Sequence, residues 1–270
     1  MPEDLLNVIP PAADLRVSYG PGACHFGDLR FGTGELRDVV VMNIHGGFWR
    51  NRYNLRHAGH FCAALTRRGF TTWNIEYSRV GDEGGGWPGT LEDIRRAWAY
   101  IPKLAASHGL RAEHVLVTGH SAGGQLALCL AAYERVVRCV VSLAGVIDLQ
   151  RAWELHLSSD AVAEFLGGSP DEVPERYQAA DPMQLPIQGC KQWILHGRED
   201  CDVPPEFSRR CWGRKQSRGE DAHLLQIRSA DHFDLIDPRS AAWTMVEDRF
   251  VETANAFTTK DKKVPKGTQD

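Results

Sequence analysis

The sequence predicts an α/β protein: a mostly parallel central sheet with helices on both faces and a small lid-like insertion. Three observations carry this. Short apolar, β-branched runs recur along the chain, separated by segments of helical spacing, which is the pattern of strands covered by crossover helices. The 270 residues are 43% hydrophobic and 24% charged, enough to fill such a core. Residues 149–187 break the rhythm with Pro170, Pro174, Pro182 and Pro186, and read as an insertion covering a site.

Taken in order, residues 1–35 are rich in Gly and Pro and read as an irregular lead-in. Residues 39–44 are apolar and β-branched, end at Gly46 and Gly47, and read as a buried strand. Leu55, Ala58, Cys62 and Leu65 then follow at helical spacing, with Arg67, Arg68 and Gly69 as a stop signal. Residues 70–77 read as the next strand. Thr90 with Asp93 suits a helix cap, the apolar face being Leu91, Ile94, Trp98 and Ile101, and Pro102 should disturb that helix. Strands are expected at 114–118, 136–143, 191–195 and 222–227. Residues 121–133, Ala- and Leu-rich all round, read as a buried helix, 206–218 as another, and Trp243, Val246 and Phe250 as a closing one. One domain over 1–257 is expected, with a polar, disordered tail over 258–270.

Bulk chemistry excludes several classes. With 31 basic and 35 acidic residues the formal charge is −4, and no block of like charge marks a nucleic-acid surface. The seven cysteines are odd in number and form no CxxC pair, so they read as reduced thiols. Cys190, His196 and Cys201 are grouped too loosely for zinc, and no metal is expected. No apolar run reaches membrane-span length, and the first residues lack the basic start of a secretory leader. The expectation is a cytoplasmic protein.

The chemistry concentrates in a few motifs. Gly119-His120-Ser121-Ala122-Gly123 fits G-x-S-x-G after a strand and before a helix, where a strained turn lifts a nucleophilic hydroxyl above the sheet. His45-Gly46-Gly47-Phe48-Trp49 follows the first strand. Amides of Gly46, Gly47 and Phe48, with that of Ala122, suit the oxygen that turns negative in acyl transfer. A serine hydroxyl needs a base and the base an orienting acid. His232 is the one histidine after the last expected strand. Asp200, on the loop after the preceding strand, competes for the acid's place with Asp202 and with Asp148. Trp49, Trp87, Phe48 and Trp153 are candidates for an aromatic pocket, Trp49 and Trp87 foremost. Gly84, Gly86 and Gly89 satisfy G-x-G-x-x-G, but Ser78 to Glu83 separate them from the strand and two acids would repel a pyrophosphate. No nucleotide cofactor is expected.

Together, HGGFW, GHSAGG, HGREDCDVP and ADHF, spread over residues 45–232, resemble an α/β-hydrolase of the esterase and kynurenine-formamidase-like group. The resemblance implies Ser121 as nucleophile, His232 as base and Asp200, the Asp of the HGxxDxxVP pattern, as acid. It implies no cofactor and no metal. The chain departs from the group at Gln125, where relatives often carry His. HGGFW also differs from the HGGG of hormone-sensitive-lipase-like esterases. The expected activity is cleavage of a small carboxylic ester or aryl formamide, and the expected partner is that small molecule, with no nucleic acid and no membrane. A homodimer stays open. The alternatives are a silent binding protein on the same scaffold, or a peptidase.

Overall fold

The computed structural model describes residues 2–111 and 113–261. In chain order the elements are α1 (Pro2–Asn7), β1 (Leu15–Ser18), β2 (Phe26–Arg30), β3 (Val39–Ile44), α2 (Gly59–Arg68), β4 (Thr71–Ile75) and α3 (Gly89–His108). There follow β5 (His114–His120), α4 (Ala122–Tyr133), β6 (Cys139–Leu143), α5 (Leu149–Glu154), α6 (Ala161–Leu166) and α7 (Pro174–Ala180). The last are β7 (Lys191–Gly197), α8 (Glu206–Ser217), β8 (Ala222–Ile227) and α9 (Trp243–Asp261). Among the described residues the strands form one sheet in the order β1-β2-β4-β3-β5-β6-β7-β8. β1 and β2 pair antiparallel with their neighbours, and every pairing from β4 to β8 is parallel.

The near-continuous apolar runs are explained by burial on both faces. Along β3, Met42 and Ile44 enter one core cluster while Val39 and Val41 enter the other. β5 splits the same way between Val117 and Leu116, and β6 between Val140 and Val141. Residues of α3, α4 and α8 fill the first cluster; those of α2 and α9 fill the second.

Several expectations change. Residues 1–35 are not irregular throughout: β1 and β2 form an antiparallel hairpin at the sheet edge. β1 is largely exposed, so its residues carry no burial alternation. β2 runs through Gly27, where a Cβ would come within 2.4 Å of Trp73 Nε1. Thr90 and Asp93 do not cap α3. The helix begins at Gly89, Thr90 Oγ1 donates to Ser78 O, and Asp93 accepts from Ser78 N and meets His25 Nε2. Pro102 lies on an exposed face and α3 continues through it to His108. At the C-terminal end α9 runs to Asp261, past residue 257; the remainder of the expected tail, 262–270, lies outside the described residues.

The segment 149–187 contains α5, α6 and α7, and Phe165 of α6 stacks on Trp49 of the loop after β3. Arg50 of the same loop ties to the segment through Glu164 Oε2 at 2.6 Å, Ser158 Oγ and Ser159 O.

Candidate active site

Ser121 occupies the turn between β5 and α4 with φ 57° and ψ −122°, a conformation that costs a non-glycine residue about 1–3 kcal/mol. Two residues to either side, positions 119 and 123 must be glycine for steric reasons. A Cβ on Gly119 would lie 2.1 Å from Gly123 O, and one on Gly123 2.0 Å from Ile44 O. The turn is pinned because Ser121 N donates to Leu143 O and Ser121 O accepts from Val146 N. At the start of α4 the first amides, Ala122 among them, have no intrahelical acceptor.

His232 follows β8 and stands over this turn. Its Nδ1 lies 2.7 Å from Asp200 Oδ2. That leaves Nε2 as the ring nitrogen free to take a proton, since an Nδ1–H bond to the carboxylate selects that tautomer. Asp200 Oδ1 accepts from the amides of Asp202 and Val203, and Oδ2 also meets His196 Nε2 at 3.1 Å. Burial alone would raise the Asp200 pKa, but the bonds from His196 and His232 outweigh it and hold the carboxyl well below the usual range. Asp200 is therefore ionised beside the ring. His196 is itself fixed by Ser208 Oγ at 2.6 Å.

The loop after β3 supplies the third part. Gly47, Phe48 and Trp49 have φ values of 117°, 50° and 57°, three successive left-handed residues that redirect the backbone toward Ser121. Gly46 lies so close that a Cβ would be 2.8 Å from His120 O and 3.0 Å from Ser121 Cβ. His45 braces the loop, with Nδ1 2.7 Å from Gly46 O and Nε2 2.7 Å from Glu76 Oε1. Glu76 also pairs with Arg79 at 2.9 Å and accepts from Leu55 N. Burial opposes ionisation of Glu76, but His45 and Arg79 hold its pKa below the ordinary value.

Ser121 and His232 open on a common cavity of about 210 Å³, walled by Leu6, Gly47, Phe48, Tyr53, His57, His120, Asp202 and Phe233. Two of its histidines are held neutral. Burial, with His45 nearby, pushes His57 down to about 3. Burial and His232 push His120 well below the ordinary range.

A family model described as BD-FAE matches residues 33–213, more than half of the chain. The chain belongs to the BD-FAE family. Esterase LipQ of Mycobacterium tuberculosis (strain ATCC 25618 / H37Rv) is 25% identical to it over 64% of this chain and 44% of its own. The probable carboxylic ester hydrolase LipM of the same organism is 24% identical over 77% of this chain and 52% of its own. The chain thus spans about half the length of these relatives. Among solved structures, Esterase B from Lactobacillus rhamnosis aligns with a TM-score of 0.81 at 16% identity, covering 98% of this chain and 93% of that one. A truncated form of a carbohydrate esterase from gut microbiota aligns at 0.78 and 19% identity, covering 92% and 100%. At such identities the likeness is one of fold, and that fold is the α/β-hydrolase.

Within this BD-FAE-family chain the structure brings Ser121, His232, Asp200, Gly46, Gly47, Phe48 and Ala122 to one place. It does not bring the two tryptophans there. Trp49 is fully buried, stacks on Phe165 of α6 at 4.5 Å and donates from Nε1 to Gln125 Oε1. Trp87 meets the same Phe165 edge-on. Both therefore fasten the insertion rather than wall the Ser121 cavity. Of the competing acids, Asp148 caps α5 and pairs with Arg210 at 2.6 Å. Asp202 lies exposed on the cavity wall. In the Gly84–Gly89 loop, Gly85 N donates to Asp82 O and Gly86 N to Thr90 Oγ1, so these amides are spent internally. Cys190 is buried beside Lys191 O and Cys201 is exposed beside Glu199 O, apart from His196. Among the described residues, Asp200, Asp202 and His232 bring ligand-capable atoms within 4.8 Å of one another, but both Asp200 oxygens are already hydrogen-bonded.

Sequence reasoning missed Leu6, Tyr53, His57, His120 and Phe233 as cavity residues. His120 and Phe233 lie inside the GHSAGG and ADHF motifs and were within reach. Leu6 and His57 arrive from elements with no motif of their own. No helix among the described residues is long and apolar enough to cross a membrane.

Proposed function

We propose that the chain is a serine hydrolase of small carboxylic esters or aryl formamides, with Ser121 as nucleophile, His232 as general base and Asp200 as its orienting acid. One observation carries the reading. A serine held at φ 57° in a strand-to-helix turn opens on the same cavity as a histidine whose far nitrogen is bonded to an ionised, buried aspartate. The esterase relatives support the reaction class.

The steps follow from the atoms in place. Ser121 Oγ attacks the substrate carbonyl carbon while His232 Nε2 accepts its proton. Asp200 stabilises the imidazolium that forms. The carbonyl oxygen, now negative, receives the amides of Gly47, Phe48 and Ala122, with Gly46 permitting the close approach. Each such donor contributes about a hundredfold or more in rate. His232 returns the proton to the leaving alcohol or amine, and the acyl group stays on Oγ. Water then attacks the acyl carbon as His232 Nε2 takes its proton, the bond to Oγ breaks, Oγ recovers the proton from His232, and the acid leaves. The small cavity walled by Leu6, Phe48, Tyr53 and Phe233 suits a short acyl chain or a flat aryl group.

The test is turnover of p-nitrophenyl acetate beside N-formyl-kynurenine, wild type against Ser121→Ala, with a fluorophosphonate probe on both proteins. Labelling and turnover that vanish together in Ser121→Ala support the reading. Turnover that survives the substitution refutes it. Fast cleavage of the formamide marks an arylformamidase, and ester cleavage alone marks a carboxylesterase.

A further inference from the structure

The cavity wall is mostly apolar or neutral, with one exception. His57 and His120 are held uncharged, and Leu6, Phe48, Tyr53 and Phe233 carry no charge. Asp202 is a carboxylate. It is exposed on the wall, and one of its oxygens lies within 4.8 Å of a His232 ring nitrogen and of an Asp200 oxygen. Its backbone amide, not its side chain, serves Asp200. A cation also touches the wall region, since Arg52 sits 5.0 Å from the centroid of the Tyr53 ring, but it reaches that ring rather than the His232–Ser121 centre.

A fixed negative charge at this distance from the reacting atoms acts in two ways. It attracts the positive charge that develops as the Ser121 proton is taken, which helps every substrate alike. It also attracts or repels any charge on the substrate, which distinguishes one substrate from another. We infer that Asp202 sets a charge preference at the proposed site: esters whose leaving group carries a cation are favoured over neutral isosteres, and anionic ones are disfavoured. This rests on the Ser121-centred reading above. It assigns Asp202 a role in specificity rather than in orienting the base.

The ratio of two matched substrates isolates the second effect. Acetylthiocholine and 3,3-dimethylbutyl thioacetate have the same acyl group and nearly the same shape, and differ by one positive charge. In each case the acetyl group passes to Ser121 Oγ, the thiol leaves with the proton from His232, and water releases acetate. The kcat/KM ratio, cationic over neutral, should be about threefold to thirtyfold in wild type at low ionic strength. It should fall toward one in Asp202→Asn, and toward one in wild type as salt is raised to about 0.5 M. A wild-type ratio near one at low salt overturns the inference. So does a ratio that persists in Asp202→Asn, or, should that variant not fold, one that is insensitive to salt. Failure of the underlying reading is seen separately, as Ser121→Ala hydrolysing the neutral thioester at the wild-type rate.

Discussion

Two buried histidine–carboxylate pairs have equal length but different surroundings. His45 Nε2 lies 2.7 Å from Glu76, and His232 Nδ1 lies 2.7 Å from Asp200. Their far nitrogens separate them. That of His45 is closed by Gly46 O, and the ring is enclosed between Tyr77, stacked at 4.4 Å, and His57. That of His232 faces the cavity with Ser121. The first pair has no nitrogen left to exchange a proton with a substrate and can only hold a loop in shape. The second has one. A histidine beside a carboxylate is thus not a sign of catalysis by itself; what the other nitrogen meets decides it.

The comparison can be broken or sharpened by substitution. Ser121→Ala should lower kcat by on the order of 10⁶ while the thermal unfolding midpoint stays near wild type. Next, Asp200→Asn should cost about 10³–10⁴ in kcat by leaving His232 in the wrong tautomer. Asp202→Asn should cost far less on a neutral ester, and the reverse order would move the acid to Asp202. Glu76→Gln tests the closed pair. Leaving His45 and Arg79 without their buried anion should destabilise the fold by about 3–5 kcal/mol in urea unfolding. It should lower kcat/KM about tenfold without moving the pH–rate profile; a shifted profile would place His45 in proton transfer.

The smallest effect concerns pH. His57 is held at about 3, below an ordinary value near 6.5, so the unfolded state binds more protons between those values. Its contribution is present above pH 6.5 and is lost as pH falls toward 3. His120 acts in the same direction, while Asp181, raised to about 7 by burial, acts in the opposite one. The informative quantity is therefore a difference. Between pH 7 and pH 5, wild type should lose more stability than His57→Gln, and equal losses would mean that His57 is not buried neutral. The contribution of Asp200 lies lower, present above about pH 3.9 and lost as acid protonates it.

Local signals carried most of what could be read from the chain. β3 and β8 lie where their apolar runs place them, and Gly69 ends α2 in a left-handed conformation. That Ser121 and His232 meet at one cavity was legible because the motif and the strand–loop order are short-range. The choice among Asp148, Asp200 and Asp202 was not, since three carboxylates on neighbouring loops look alike until side-chain directions are known. Aromatic residues misled in the same way: Trp49 and Trp87 suit a pocket wall and a packed interior equally well in composition. The edge hairpin escaped because an exposed strand has no reason to alternate. Glu76 bracing His45 spans 31 residues and leaves no pattern in the sequence.

The fastening of the insertion has an engineering consequence. Trp49 stacks on α6 and bonds Gln125, Gln125 Nε2 donates to Ala180 O of α7, and Arg50 reaches Glu164. The loop after β3 and the segment 149–187 are thus one mechanical unit, clamped through residue 125. A chimera that imports residues 149–187 from a relative bearing His at that position would inherit a mismatched clamp. The exchangeable module is the segment together with residues 49, 50 and 125.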